Sequence, residues 1–252
     1  MSQAIKNSFT TRLAVVRHGE TIWNQAGRFQ GHKDSPLTEE GLAQAQALSR
    51  RFLAGQWHFI FSSDLGRAKQ TALPITKSAG LKLQTDSRLR ERCLGIFEGL
   101  TRQEAVHQYP TEFNRYISGD PDYALPKGQS IREHLFQTVG CLEELARTHA
   151  DKNLIIITHG GSLSALFRHV VGLPLNAPRH YEITNASFNS FLFGSDGWKL
   201  ETWGDLSHLG ALPEVEEEEI SDFVEGSVIE AAPPVSEPAS ETGPSQEANT
   251  SE

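Results

Sequence analysis

Two histidines in this chain each follow an apolar run and each stand beside glycine: Arg17-His18-Gly19 after LAVV, and His159-Gly160-Gly161 after LIIIT. A solvated turn needs neither the imidazole nor the arginine. An imidazole is a nucleophile and proton carrier near neutral pH, and a guanidinium grips oxyanions through paired donors. Glycine beside them lets backbone approach a ligand closely. A third apolar run, HFIFSS, leads through Asp64-Leu65-Gly66 to Arg67 at the start of an expected helix, where backbone N–H groups also attract anions. Singly, each residue has a plainer reading: a histidine after a strand caps a turn, and Arg67 makes a surface ion pair. Their joint placement describes a crevice that holds and attacks a phosphoryl group. His32, His107 and His149 read as ordinary.

The elements that must position these residues alternate. LAVV (13–16), HFIFSS (58–63), LKLQ (81–84) and LIIIT (154–158) read as strands, the last being the most apolar. A helix is expected after Thr38 as N-cap, with Glu39 and Glu40 in its first turn and Leu42, Ala45, Leu48 and Phe52 as its apolar stripe. The helix carrying Arg67 is expected to be disturbed by Pro74. Thr101-x-x-Glu104 and Ser130-x-x-Glu133 are capping boxes that each announce a helix, the second running to about His149. SLSALFRHVV forms a short helix stopped by Gly172, and SFNSFLF pairs with WKLETW around GSDG as a hairpin. This pattern predicts an α/β protein: a three-layer α/β/α sandwich around a mostly parallel sheet, with ligands gathering at the carboxyl ends of the strands.

Composition bounds the rest. The net charge of −9 is concentrated at one end: 12 of the 32 acidic residues and none of the 23 Lys and Arg lie from Glu214 onward. Residues 1–213 therefore carry +3, with no basic stripe for nucleic acid. Residues 1–10 read as an N-terminal extension and 11–208 as the domain. Residues 209–252 form an acidic tail, too poor in apolar surface to order itself; it reads as a solvating appendage or, alternatively, as a segment whose Ile220, Phe223 and Val224 contact the domain or a protein partner. Cys93 and Cys141 stand far apart, which argues against a disulfide framework and a zinc site. No secretory signal and no membrane span are read in the chain, so a cytoplasmic location is expected. Oligomeric state is not legible.

LAVVRHGETIWN resembles the signature of the histidine phosphatase superfamily, which includes the cofactor-dependent phosphoglycerate mutases. The resemblance continues through FQGHKDSPLTEEG, SSDLGRAKQTA, LRERCLGIFEG and IIITHGG, in the family order, over about residues 11–205. It implies that His18 takes the phosphoryl group as a phosphohistidine, with the proton of the other ring nitrogen held by a backbone carbonyl. Arg17, Asn24, Arg67 and His159 would surround the phosphoryl oxygens, His159 as imidazolium. Glu91 would be the general acid and then the base, with Glu98 as its rival and Arg88, Arg90 and Arg92 as candidate ion-pair partners. Gln30 and Gly31 match a loop that approaches substrate, and Glu20 is expected to brace arginines. No metal and no cofactor are implied, because the arginines supply the charge.

Between mutase and phosphatase the sequence leans to the second. Glu91 and His159 are 68 positions apart, short for a mutase, and between Leu100 and Gly128 only Arg102, Arg115 and Lys127 are basic. Gln129 replaces the glutamate of the usual Gly-Glu-Ser. YPTEFNRYISGDPDYALP reads as a substrate-selecting lid in which Phe113, Tyr116 and Tyr123 either line a pocket or hold the lid together. The expected function is metal-independent hydrolysis of a small phosphorylated metabolite. A mutase is the alternative, and a scaffolding module using the tail is the alternative of another class. A dinucleotide-binding enzyme is excluded by the lack of G-x-G-x-x-G after the first strand.

Overall fold

The computed structural model describes residues 9–210; the acidic tail and most of the N-terminal extension lie outside the described residues. Six strands form one sheet: β1 (Thr10–Arg17), β2 (Phe59–Ser62), β3 (Leu83–Thr85), β4 (Asn153–Thr158), β5 (Phe188–Gly194) and β6 (Gly197–Asp205). Their order is β3-β2-β4-β1-β5-β6. The four at the β3 end are parallel, whereas β5 and β6 are the expected hairpin and run antiparallel. β1 begins at Thr10, and Phe9 packs on Phe193 with ring centroids 6.1 Å apart.

Helices cover both faces. They are α1 (Ile22–Gln25), α2 (Glu39–Ser49), α3 (Gly66–Ala79), α4 (Arg102–Gln108), α5 (Pro110–Ile117), α6 (Ile131–Thr148) and α7 (Gly160–Val171). Alternation along the central strands divides the core. Leu13, Val15, Leu154 and Ile156 pack with Leu142 of α6 and Leu163 and Leu166 of α7. Ala14, Val16, Ile155 and Ile157 face the other way, against Leu48 of α2 and Ala68, Ala72 and Ile75 of α3. Both faces of β1 and β4 are therefore dry, which is why these strands read as unbroken apolar runs. A third, smaller cluster of Leu94, Phe97, Ala105, Phe113 and Leu125 lies under α4 and α5. Among the described residues, no helix is long and apolar enough to cross a membrane.

Both expected capping boxes are formed, at Thr101 and Ser130, and a third joins Thr21 to Asn24. Two expectations fail. α3 runs unbroken through Pro74, because its buried stripe, Ala68-Ala72-Ile75-Ala79, holds the helix on the sheet despite the missing hydrogen bond. Leu42 is exposed rather than buried; the inward stripe of α2 is Gly41, Ala45 and Leu48, one residue round.

The rotation of α2 has a cause at the carboxyl end of β1. A Cβ on Gly41 would lie 2.0 Å from the Glu20 carbonyl oxygen, and one on Gly19 would lie 2.5 Å from that of Gly41. The turn after His18 thus rests on bare helix backbone. Gly41→Ala should destabilise the protein by about 2 kcal/mol, although alanine is the better helix former, because backbone oxygens cannot move aside. Gly140→Ala, on the exposed face of α6 with open space at its Cβ, should instead stabilise by about 0.5–1 kcal/mol. Thermal unfolding of both variants checks the pair; equal effects would refute the contact.

Candidate active site

β1 and β4 deliver the two histidines to one end of the sheet. The His18 amide donates to the Thr158 carbonyl at 3.0 Å, which locks the two strand ends together. The side chain of His18 is 3% exposed, and its Nδ1 lies 2.7 Å from the Gly19 carbonyl. That oxygen can only accept, so Nδ1 carries the ring proton and Nε2 presents its lone pair. Burial, then the charges of Arg67 and Arg17, hold His18 well below the ordinary histidine pKa, so the ring is neutral.

Arg67, in the first turn of α3 and 1% exposed, points into the same space. Its Nε donates to His18 Nε2 at 3.3 Å, Nη1 to the Lys33 carbonyl and Asp34, and Nη2 to the Gly31 carbonyl at 2.8 Å. Gly31 thus serves Arg67 through its backbone; it holds φ +54°, and a Cβ there would collide with Glu98. Arg17 donates through Nη1 to the Ile183 carbonyl, while its Nε is buried without a partner among the described residues; burial lowers its pKa to about 10, which leaves it cationic at neutral pH. His159 is fully buried at the N-terminus of α7, its ring centroid 5.2 Å from that of His18 and both ring nitrogens unpartnered among the described residues. Burial and then Arg67 push its pKa well down, so the ring is neutral unless a phosphate charge lies beside it, the condition under which the imidazolium is expected. Gln30 is also buried with its side-chain oxygen unpartnered.

Asn24 is oriented by the third capping box. Its Oδ1 accepts from the Thr21 amide and hydroxyl and from Asn185 Nδ2, which also donates to the His18 carbonyl. Glu20 braces Thr38, the cap of α2, at 2.7 Å rather than an arginine. Glu91 hangs at the start of α7: Oε2 accepts from the Gly161 amide at 2.9 Å and Oε1 from the Arg92 amide at 2.7 Å. None of the neighbouring arginines neutralises it. Arg88 pairs with Asp86 and Glu144, Arg90 with Asp64, and the Arg92 guanidinium lies 5.4 Å from the Tyr116 ring centroid. Glu98, the rival carboxylate, is spent on structure, accepting from the amides of His32, Lys33 and Leu94.

Beyond Glu91 opens a cavity of about 300 Å³, lined among others by Arg92, Tyr116, His134, Ser164, Arg168 and Arg179. The lid aromatics divide: Tyr116 lines this cavity, whereas Phe113 is buried in the third cluster and Tyr123 packs under Arg115. Gln129 also has a structural post, accepting from the Cys93 amide and donating to Gln137. Sequence reasoning missed Asn185, Arg179 and His134. The first two come from an irregular loop with no periodicity to flag them. His134 stands just after a capping box, where a core histidine and a functional one look alike.

His18, His134 and His159 are all buried in their neutral forms. Burial, with opposing help from Glu91 and smaller pushes from Arg92 and His32, places His134 at about 4. Below pH 6.5 the unfolded chain therefore binds more protons than the folded one, and stability falls as pH falls, by about 1.4 kcal/mol per pH unit for each such histidine. Urea unfolding at pH 7, 6 and 5 should show this loss, and His134→Gln should remove one proton from the slope. An unchanged slope in that variant would contradict the burial of a neutral ring.

Comparison with known proteins identifies the family. Residues 13–206 match the family model of the histidine phosphatase superfamily, branch 1. A metal-independent phosphoserine phosphatase of Arabidopsis thaliana is 34% identical over 208 residues, covering 81% of this chain and 86% of that protein. A probable phosphoglycerate mutase of Yersinia pestis is 34% identical over 203 residues, covering 79% and 94%. The structure of YhfR from Bacillus stearothermophilus superposes with a TM-score of 0.74 at 30% identity, covering 79% of this chain and 99% of its own. The chain belongs to the histidine phosphatase superfamily and is an enzyme acting on phosphomonoesters.

Proposed function

We propose that the enzyme hydrolyses small, carboxylate-bearing phosphomonoesters without a metal, through a phosphohistidine on His18. The observation that carries this reading is the His18 ring itself: buried, neutral, its proton fixed at Nδ1 and its Nε2 lone pair turned toward Arg67. An incoming phosphoryl group draws the Arg67 guanidinium onto its oxygens and frees that lone pair. Nε2 then attacks phosphorus; the P–O bond to the leaving group breaks, and the leaving oxygen takes a proton from Glu91. Water next attacks phosphorus, passes its proton to the Glu91 carboxylate, and the P–N electron pair returns to Nε2. Arg17, Arg67 and the Asn24 amide bear the charge on the equatorial oxygens. His159 becomes an imidazolium only with that anion beside it.

Hydrolysis is favoured over mutase chemistry by the use of the lid's basic residues. Arg102 lies over Phe113 and Arg115 over Tyr123, at 4.9 Å and 4.0 Å from the ring centroids, so neither is arranged to clamp a second phosphate. The substrate's carboxylate is read from the cavity, where Arg92 and Arg179 carry charge with no acidic partner among the described residues. The names of the relatives, phosphoserine phosphatase and phosphoglycerate mutase, point to the same class. A cytoplasmic location fits such a metabolite.

Phosphate release from a panel of phosphomonoesters, run without added metal beside interconversion of 3- and 2-phosphoglycerate with bisphosphoglycerate present, tests the reading. Release without isomerisation is expected; efficient isomerisation with little release would overturn it. His18→Ala should abolish turnover while leaving the circular dichroism spectrum that of the folded parent, with a lowered Tm because Arg67 Nε loses its partner. Glu91→Gln should lower kcat/KM for an alkyl phosphate by about 10²–10⁴-fold and spare p-nitrophenyl phosphate, whose leaving group needs no proton. Arg179→Ala should raise KM for phosphoserine by about 10-fold, the worth of one charge-assisted contact, with little effect on the aryl substrate.

A further inference from the structure

His134 has no place in the chemistry described so far, yet it sits against it. It lies in the first turns of α6, is 2% exposed, and lines the cavity beside Glu91. Burying an imidazole there carries a desolvation cost that leucine would not, and Nδ1 is buried without a partner among the described residues. Whatever the side chain contributes, it contributes at Nε2.

The hydrogen at that nitrogen can be placed. The Ser162 hydroxyl, in the first turn of α7, donates its one hydrogen to the Arg90 carbonyl at 3.1 Å. Ser162 Oγ is also 3.2 Å from His134 Nε2, so in this contact the histidine is the donor. The neutral ring therefore carries its proton on Nε2, and the same N–H faces Glu91 Oε1 at 3.7 Å. Glu91 is already held by the Gly161 and Arg92 amides, and His134 closes the remaining side of Oε1.

We propose that His134 is a positioning residue for Glu91: its Nε2–H, steered by Ser162, holds the carboxyl in the orientation that protonates the leaving oxygen. The inference rests on the acid role given to Glu91 above. As Glu91 releases its proton to that oxygen, negative charge grows on the carboxylate, and the attraction between Oε1 and the His134 N–H dipole 3.7 Å away grows with it. No proton passes to or from His134. The contact is longer than a hydrogen bond at rest and gains strength only as charge develops, so it assists the step rather than substrate binding.

The readout is kcat/KM for phosphoserine against p-nitrophenyl phosphate, since both report phosphoryl transfer to His18 but only the first needs a protonated leaving group. His134→Leu, which keeps the bulk and removes the donor, should lower the phosphoserine value by roughly 10-fold, a fraction of the general-acid effect, with KM near the parent's and the aryl value within about threefold. His134→Gln, which returns an N–H near the Nε2 position, should recover most of the loss. Equal losses on both substrates, or a glutamine variant no better than leucine, would overturn the assignment. If the leucine variant does not fold, Ser162→Ala carries the same test through the ring's steering hydroxyl: selective loss supports the proposal, and no change or equal loss refutes it. Glu91→Gln run alongside separates the two readings. Selective loss there without selective loss at His134 sinks only this inference, whereas equal loss there removes the acid role and this inference with it.

Discussion

Arg67 places a full positive charge where water barely reaches, and much of the site is arranged around keeping it there. An unpaired buried guanidinium would cost several kcal/mol, so its donors must be met. They are met by the Gly31 and Lys33 carbonyls, by Asp34 and by the lone pair of His18. Each partner arrives on a different piece of chain. The loop between α1 and α2 is shaped by its carbonyls turning inward; β1 must end where His18 meets Nε; α3 must begin at Gly66, where a Cβ would strike the Asp34 carboxylate at 2.3 Å. The interaction also sets the state of the nucleophile, because a neighbouring cation and a dry setting both favour a neutral imidazole.

The second constraint is close approach of backbone. Gly19 and Gly41 let the turn after β1 sit on α2, and Gly161 leaves room for the Glu91 carboxylate, whose Oε1 would be 2.1 Å from a Cβ there. Side chains at these points would push the two histidines and the acid apart. The sheet supplies direction, with His18 and His159 side by side because β1 and β4 are neighbours in register, Arg17 opposite Thr158. The glycines supply the last ångström.

Much of this was legible in the chain because the causes are local. Apolar runs that are buried on both faces announce β1 and β4; Thr101 and Ser130 announce α4 and α6 by capping boxes; Arg17, His18, Arg67 and His159 stand at fixed offsets from strand ends. What was hidden depends on contacts far apart in sequence. Leu42 was placed inward by spacing alone, but the rotation of α2 is set by Gly41 meeting Glu20. Glu91 and Glu98 look alike in LRERCLGIFEG; only the folded loop shows one accepting three amides of a bracket and the other facing a cavity. Asn185, Arg179 and His134 belong to the site through tertiary contact alone.

The lid rests on its own small core. Leu94, Phe97, Ala105, Phe113 and Leu125 pack with one another, apart from the two clusters that flank the sheet and carry the histidines and Arg67. Changes in the lid's outer aromatics reach the strand ends through Phe29, which packs on Phe97 and Tyr116 from the loop that seats Arg67. A fold partitioned in this way lends itself to radiation: the reaction is kept at the strand ends, and the wall beside it can be edited at its outer residues while Leu94, Phe97 and Phe29 stay fixed next to the chemistry.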